Sequence, residues 1–145
     1  MKYVHIDAQT GKVNWDDYFE YLRSVREQFP SDLYSYAVSW EHYSLDGGNS
    51  LHDAWLVGAQ FGYKAQDVSL EFIGARHDRR LTFQYLVVES YEFDLSVEYR
   101  LGDRDVFAHE FRMDGELISH EIVFSNRKSI LIRSQNVVPT VAVLS

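Results

Sequence analysis

The sequence contains no cysteine, so it can form no disulfide bond, no thiolate metal site and no cysteine nucleophile. Positive charge is also scarce, because 14 Lys and Arg side chains face 22 Asp and Glu side chains and leave a net charge of −8. Nonspecific binding to nucleic acid needs clustered cations, so we expect no nucleic acid among the partners. An acidic surface can instead attract a basic protein partner.

Long apolar runs are missing as well. No run approaches the roughly 18 residues of a membrane span, and the first residues lack the apolar centre of a signal peptide. We therefore expect a soluble, cytoplasmic protein with no membrane partner. A length of 145 residues suits one ordinary domain, and neither a linker nor an internal repeat divides the chain, so we predict a single domain over residues 1–145.

Aromatic residues are frequent, at 15% of the chain, with 10 Tyr, 9 Phe and 3 Trp. They are spread along the whole sequence, which is typical of a β-rich core with tyrosine hydroxyls at its rim. A surface that stacks sugars or bases is the less favoured interpretation, because such a surface needs only a few rings.

An amphipathic helix is predicted near the N-terminus. Asn14 can cap it, Asp16 and Asp17 lie in its first turn, and Pro30 ends it. Its apolar residues recur at three- and four-residue steps and form one stripe: Trp15, Tyr18, Phe19, Leu22, Val25 and Phe29. Residues 31–40 fit a helix or a strand, and we favour a short helix.

From Trp55 onward the sequence alternates between apolar and polar residues, with short polar turns between the alternating stretches. The predicted strands cover residues 55–61, 68–73, 81–88, 91–99, 106–113, 117–124 and 129–133, and Asp114-Gly115 is the strongest hairpin signal. Strands joined by short turns are antiparallel neighbours. The predicted fold class is α+β: one antiparallel meander sheet of six or more strands, with the N-terminal amphipathic helix packed on one face. Pro139 should keep residues 137–144 out of a central strand position.

Five of the six histidines adjoin an acidic residue, in the pairs Glu41-His42, His52-Asp53, His77-Asp78, His109-Glu110 and His120-Glu121. Neighbouring side chains of a strand point to opposite faces, so the last two pairs cannot each share one ligand sphere. Phosphate-loop, dinucleotide and zinc-helix motifs are missing from the sequence. We therefore expect no cofactor and assign no metal site.

His52, Asp53 and His120 are nevertheless the candidate catalytic or metal-binding residues. His52 and Asp53 lie between a glycine turn and a strand, where an imidazole and a carboxylate can reach one cleft. His120 or His109 could add a second imidazole for a metal ion or a hydrolytic water. The structural alternative is favoured for each: Asp53 accepts backbone N–H bonds at the turn, and His120 is a core histidine beside Ile118 and Ile122.

Three segments, Tyr43–Leu45, Ser50–Ala54 and Leu117–Ser125, resemble a group of small uncharacterised bacterial proteins. In that group a Leu-His-Asp-Ala element opens a strand, and a His-Glu-Ile-hydrophobic-Phe-Ser strand follows near the end. The resemblance covers about residues 43–133. It implies a bacterial, single-domain protein in which His52, Asp53, His120 and Glu121 are the positions of interest, and it attaches no activity to them.

Two functions fit these observations. The leading hypothesis is a non-enzymatic acidic module for protein interaction, of the immunity-protein kind that sequesters a basic partner. The alternative is a small hydrolase, or a ligand- or metal-binding protein, with a site around His52 and Asp53.

Overall fold

The computed structural model describes residues 1–94 and 101–144 of the chain, and the α+β class predicted from the sequence is confirmed. Helices α1 (Asp16–Ser24) and α2 (Ser31–Ala37) precede the large sheet, and short 3-10 turns lie at Arg26–Gln28, Trp40–His42 and Leu101–Arg104. A small hairpin consists of β1 (His5–Ile6) and β2 (Val13–Asn14). The large sheet contains β3 (Trp55–Phe61), β4 (Val68–Ile73), β5 (Arg79–Asp94), β6 (Val106–Asp114), β7 (Leu117–Phe124) and β8 (Ser129–Val143). No helix in the described part of the chain is long and apolar enough to cross a membrane.

The six strands are antiparallel, as predicted, but their order is β3-β4-β5-β8-β7-β6 and not that of a meander. The last strand, β8, lies between β5 and β7 because it pairs with β5 along nearly its full length. The strands predicted at 81–88 and 91–99 belong to this one long β5, apart from residues 95–99, which lie outside the described residues. A register shift between Val88 and Ser90, next to a positive φ of 53° at Val87, bends β5 without ending it.

Pro139 lies within β8, opposite Phe83 of β5. On its other side β8 pairs with β7 only from Ser129 to Ser134. Pro139 is therefore locally at an edge, the position in a sheet where proline is tolerated. The restriction predicted for Pro139 holds at its own position, although β8 as a whole has a neighbour on each side.

The two outer strands of the sheet meet where they begin. Asp53 N–H donates to Val106 O (2.8 Å), Val106 N–H donates to Ala54 O (2.9 Å), and Trp55 forms an antiparallel bridge with Asp105. The sheet is therefore curled, and its concave side holds the core. The largest fully buried side chains are Tyr18, Tyr43, Tyr85, Phe72, Phe83, Phe111, Phe124, Leu22, Leu33, Leu51, Leu70 and Leu81.

Helix α2 lies against β8, and Tyr36 of α2 makes ring contacts with Phe83 and Phe111. Helix α1 is shorter than the predicted stripe and ends at Ser24, although Asn14 Oδ1 does accept a hydrogen bond from Asp16 N–H (2.9 Å).

Helix α1 is bound to the outer strand β6 through two tyrosines. Their hydroxyls accept backbone hydrogen bonds, Tyr18 from Phe111 (3.0 Å) and Tyr21 from Met113 (2.7 Å). These bonds satisfy N–H groups that point away from the sheet. The packing of α1 across a face of the sheet stays a prediction.

Glu110 is a fully buried carboxylate on the face of β6 opposite to His109. Its oxygens accept hydrogen bonds from the backbone N–H groups of Lys2 (2.8 Å), Tyr3 (3.0 Å) and Val4 (2.8 Å). Arg112 Nη1 also donates to Glu110 Oε1 and to Glu121 Oε1, both at 2.8 Å. Glu110 therefore fastens the N-terminal segment to β6.

The substitution Glu110→Gln should lower the free energy of unfolding by about 3 kcal/mol, because it leaves Arg112 with a weaker partner and removes acceptor sites for buried N–H groups. Urea denaturation measures this loss. The exposed Glu116→Gln, at the β6–β7 turn, is the matched control and should change stability by less than about 0.5 kcal/mol. Equal stability of the two variants would contradict the anchoring role.

Candidate functional site

His52 and Asp53 lie at the seam where the chain before β3 meets β6. The Nδ1 atom of His52 is 2.8 Å from the carbonyl oxygen of Phe107, and because a carbonyl only accepts, Nδ1 carries the proton. The other ring nitrogen, Nε2, is 3.5 Å from Asp53 Oδ2, longer than an ordinary hydrogen bond. Asp53 has a φ of 59°, a left-handed conformation that Asp tolerates better than most residues.

An open groove lies beside His52, and we call it the aromatic groove. Its volume is about 560 Å³. It is lined by Thr10, Gly11, Lys12, Val13, Trp15, Trp40, Tyr43, Leu45, His52 and Phe107. The volume lies within the range of about 300–1,000 Å³ that is usual for small-molecule sites.

The walls of the aromatic groove are mainly flat rings. Trp15 and Trp40 meet edge to face with their centroids 5.8 Å apart, and Tyr43 lies 5.1 Å from Trp15. Trp40 is 51% exposed and Leu45 is 74% exposed, although both are large apolar side chains. Exposed apolar side chains that are grouped around a depression are typical of a binding surface.

A second depression, which we call the polar depression, adjoins the groove and has a volume of about 680 Å³. It shares Lys12, Val13, Trp15 and Trp40 with the groove and adds His5, Asp7, Asn14, Asp16 and Phe19. Some of its polar atoms already have partners, since Asp7 Oδ1 accepts from the N–H groups of Gln9 and Thr10. The Trp15–Trp40 pair therefore lies between an apolar and a polar depression.

His120, the third candidate, is not among the groove residues. It lies fully buried in the core, where its Nε2 is 3.0 Å from Nδ1 of His109 and its Nδ1 is 2.7 Å from the hydroxyl of Tyr85. His109 Nε2 is in turn 3.2 Å from the carbonyl oxygen of His42. The structure therefore joins His120 to His109 in the core and leaves His52 beside Asp53 at the groove.

The proton positions in this series of hydrogen bonds follow from the His42 carbonyl at its end. His42 O only accepts, so His109 Nε2 donates to it, and Nδ1 of the neutral His109 ring must accept from His120 Nε2. His120 Nδ1 is then the acceptor for the Tyr85 hydroxyl. Both rings are neutral with both nitrogens occupied, so this arrangement is structural and leaves neither histidine free as a base.

The pKa values agree with neutral rings. Burial lowers the pKa of His109 to about 3 and holds the pKa of His120 well below its ordinary value, with the neighbouring His109 as a further cause. Burial also lowers the pKa of His42, although its hydrogen bond to the Tyr36 carbonyl opposes this. In residues 1–94 and 101–144 no three His, Asp or Glu side chains are grouped so that they could hold a metal ion.

The groove and the buried histidines meet at Tyr43. This residue lines the groove, and its ring stacks on His109 with a centroid distance of 4.6 Å. Its hydroxyl donates to Ala37 O (2.7 Å) and accepts from the Tyr18 hydroxyl (2.9 Å). Tyr43, which forms the floor of the groove, is therefore held in place both by its ring stacking and by its hydroxyl hydrogen bonds.

Sequence reasoning selected His52 but missed Trp40 and Phe107. Trp40 lies in a stretch that matched both helix and strand, and Phe107 lies in a predicted strand between the apolar residues Val106 and Ala108. The proximity of two tryptophans to a histidine turn in space was the missing signal.

Stability should fall as the pH decreases from about 6.5 towards 3. The unfolded chain binds protons at His109 and His120 below their ordinary pKa of 6.5, whereas the folded chain does not until the pH approaches the lowered values. The expected slope is about 1.4 kcal/mol per pH unit for each proton.

Urea denaturation at a series of pH values measures this slope. His120→Gln should lower the slope between pH 6.5 and 5 by the contribution of about one proton. His77→Asn, at an exposed position with a φ of 58°, should leave the slope unchanged. The same slope in His120→Gln as in the original chain would argue against a neutral buried pair.

Comparison with known proteins adds no assignment to this geometry. No protein-family model matches the chain, and a search of curated proteins finds no match. The resemblance to small bacterial proteins on Leu51-His52-Asp53-Ala54 and His120-Glu121 stays a prediction.

Proposed function

We propose that this protein is a binding protein that holds a ring-bearing small molecule in the aromatic groove. The observation that carries the proposal is the open groove of about 560 Å³ with Trp15, Trp40 and Phe107 on its walls. Aromatic walls with a few polar groups are the usual composition of a small-molecule site. Ring-to-ring contacts in edge-to-face or offset geometry add about 0.5–1.5 kcal/mol each beyond the area that they bury.

The groove is supported from three directions, which favours a preformed site. Trp15 directly precedes α1, Tyr43 rests on His109, and Phe107 belongs to β6. In this proposal α1 packs against the sheet and holds Trp15 in place. A preformed site loses little conformational entropy when its ligand binds.

The arrangement of His52 favours binding over hydrolysis. In a hydrolytic His–Asp pair the carboxylate holds one ring nitrogen while the other acts as the base. Here a backbone carbonyl holds Nδ1–H, and Asp53 lies on the Nε2 side, where the base would have to act. A small hydrolase around His52 and Asp53 is therefore the weaker alternative.

A second candidate function, the acidic module for protein interaction, is favoured by a different surface. Phe61 and Tyr91 are each 52% exposed with ring centroids 5.1 Å apart, and they share a shallow depression with Asp67 and Glu89. Exposed rings beside carboxylates fit a partner with apolar and basic side chains. This surface does not involve the aromatic groove.

The three tryptophans provide a direct test with 2-naphthamide, a neutral two-ring probe. In a ¹H–¹⁵N NMR titration the indole N–H signals of Trp15 and Trp40 should shift, because both rings line the groove, while the signal of Trp55 should stay in place. Trp40→Ala should weaken binding about tenfold, the upper end for loss of one ring contact. Tyr63→Ala, which removes a 90% exposed ring outside the groove lining, is the control.

Two results would contradict the proposal. One is a titration in which neither Trp15 nor Trp40 responds at probe concentrations up to the solubility limit. The other is equal weakening by Trp40→Ala and Tyr63→Ala, since that pattern indicates nonspecific adsorption to exposed rings.

A further inference from the structure

We infer that the molecule held in the aromatic groove is an aromatic acid, whose anionic group pairs with Lys12. This inference rests on the proposed function and specifies the chemical class of the ligand. It comes from the distribution of charge around the groove, which differs from that of the chain as a whole.

The groove lining carries positive charge in an acidic protein. Among the described residues that line it, Lys12 is the only Lys, Arg, Asp or Glu, whereas the chain has a net charge of −8. The side chain of Lys12 is exposed and forms no ion pair within residues 1–94 and 101–144. A cation without a partner at the rim of an apolar groove is complementary to an anion on an apolar ligand.

A second cation stands behind one wall of the groove. The guanidinium of Arg127 lies 4.1 Å from the centroid of the Phe107 ring, and Phe107 lines the groove. This contact holds a positive charge close to the groove without filling it. Lys12 and Arg127 therefore bias the local potential towards an anion.

Acidic groups lie near the groove but do not line it. Asp53 faces His52 Nε2 at 3.5 Å, and Asp7 accepts two backbone N–H groups through Oδ1. Asp16 lines only the polar depression. An acid bound with its rings against Trp40 and Phe107 can direct its anionic group to Lys12 at the border of the two depressions.

The shape of the groove favours rings over an alkyl chain. The groove is open to solvent and lined by flat faces, so a planar ring can cover Trp15 and Trp40, whereas a long acyl chain would keep much of its length in water. The inferred class is therefore a compact aromatic carboxylate.

A matched series of naphthyl probes tests the inference: 2-naphthoate is anionic, 2-naphthamide neutral and 2-naphthylmethylamine cationic. At low salt 2-naphthoate should bind about fivefold more tightly than 2-naphthamide, as expected for one exposed ion pair, and the amine should bind most weakly. The advantage of 2-naphthoate should shrink as salt is added. Decanoate, which has the same carboxylate on an alkyl chain, should bind more weakly than 2-naphthoate.

Lys12→Gln should remove the advantage of 2-naphthoate and leave the affinity for 2-naphthamide unchanged. Lys64→Gln is the control, because Lys64 is exposed, its ammonium group lies over the Tyr63 ring, and it does not line the groove. Equal affinities for the naphthoate and the amide in the original chain, or an advantage that survives Lys12→Gln, would overturn the anionic assignment. Tighter binding of decanoate would overturn the aromatic assignment.

These outcomes are distinguishable from failure of the proposed function itself. If 2-naphthamide shifts the indole signals of Trp15 and Trp40 without any preference for the acid, the groove binds rings and only the charge assignment is lost. If no naphthyl probe shifts either signal, the binding function falls as well.

Discussion

The groove depends on a few hydrogen bonds that join the chain before β3 to the beginning of β6. Asp53 N–H donates a hydrogen bond to Val106 O, and Val106 N–H donates one to Ala54 O. The carbonyl oxygen of the next residue, Phe107, accepts a hydrogen bond from His52 Nδ1–H. The two segments are distant in sequence, and these bonds bring His52 beside Phe107. They also curl the sheet, so the same contacts that enclose the core create the site at its rim.

The apolar core behind the groove contains a few buried polar groups, and these determine how rigid the groove floor can be. Each hydrogen bond in the series from Tyr85 through His120 and His109 to the His42 carbonyl has a defined donor and acceptor, so reversing any one of them would leave a buried group unsatisfied. Tyr43 stacks on His109 and bonds through its hydroxyl to Tyr18. A single arrangement of buried polar groups therefore fixes the position of the groove floor.

The alternation of apolar and polar residues predicted the individual strands. Burial of one face of a sheet imposes a period of two residues, as at Val68, Leu70 and Phe72. The alternation also indicated a core His120 beside Ile118 and Ile122. It could not predict the insertion of β8 beside β5, because short turns indicate which strands are near in sequence and do not indicate long-range pairing. The groove was beyond sequence reasoning for the same reason, since the seam that forms it is a long-range contact.

The net charge of −8 is compatible with an anionic ligand, because repulsion by the whole surface and attraction by groups at the groove act over different distances. At physiological salt, charges more than about 8 Å apart are largely screened, so the acidic surface slows the approach of an anion more than it weakens the bound state. In the proposal, affinity is then decided by the groups at the groove, which are Lys12 in its lining and Arg127 beside the Phe107 ring. A ligand that merely needed an apolar surface would find one equally at Phe61 and Tyr91, but there the neighbouring charges are the carboxylates of Asp67 and Glu89. The proposed small acid and the alternative basic partner would therefore favour different ring surfaces, because the charges beside the two surfaces are opposite in sign.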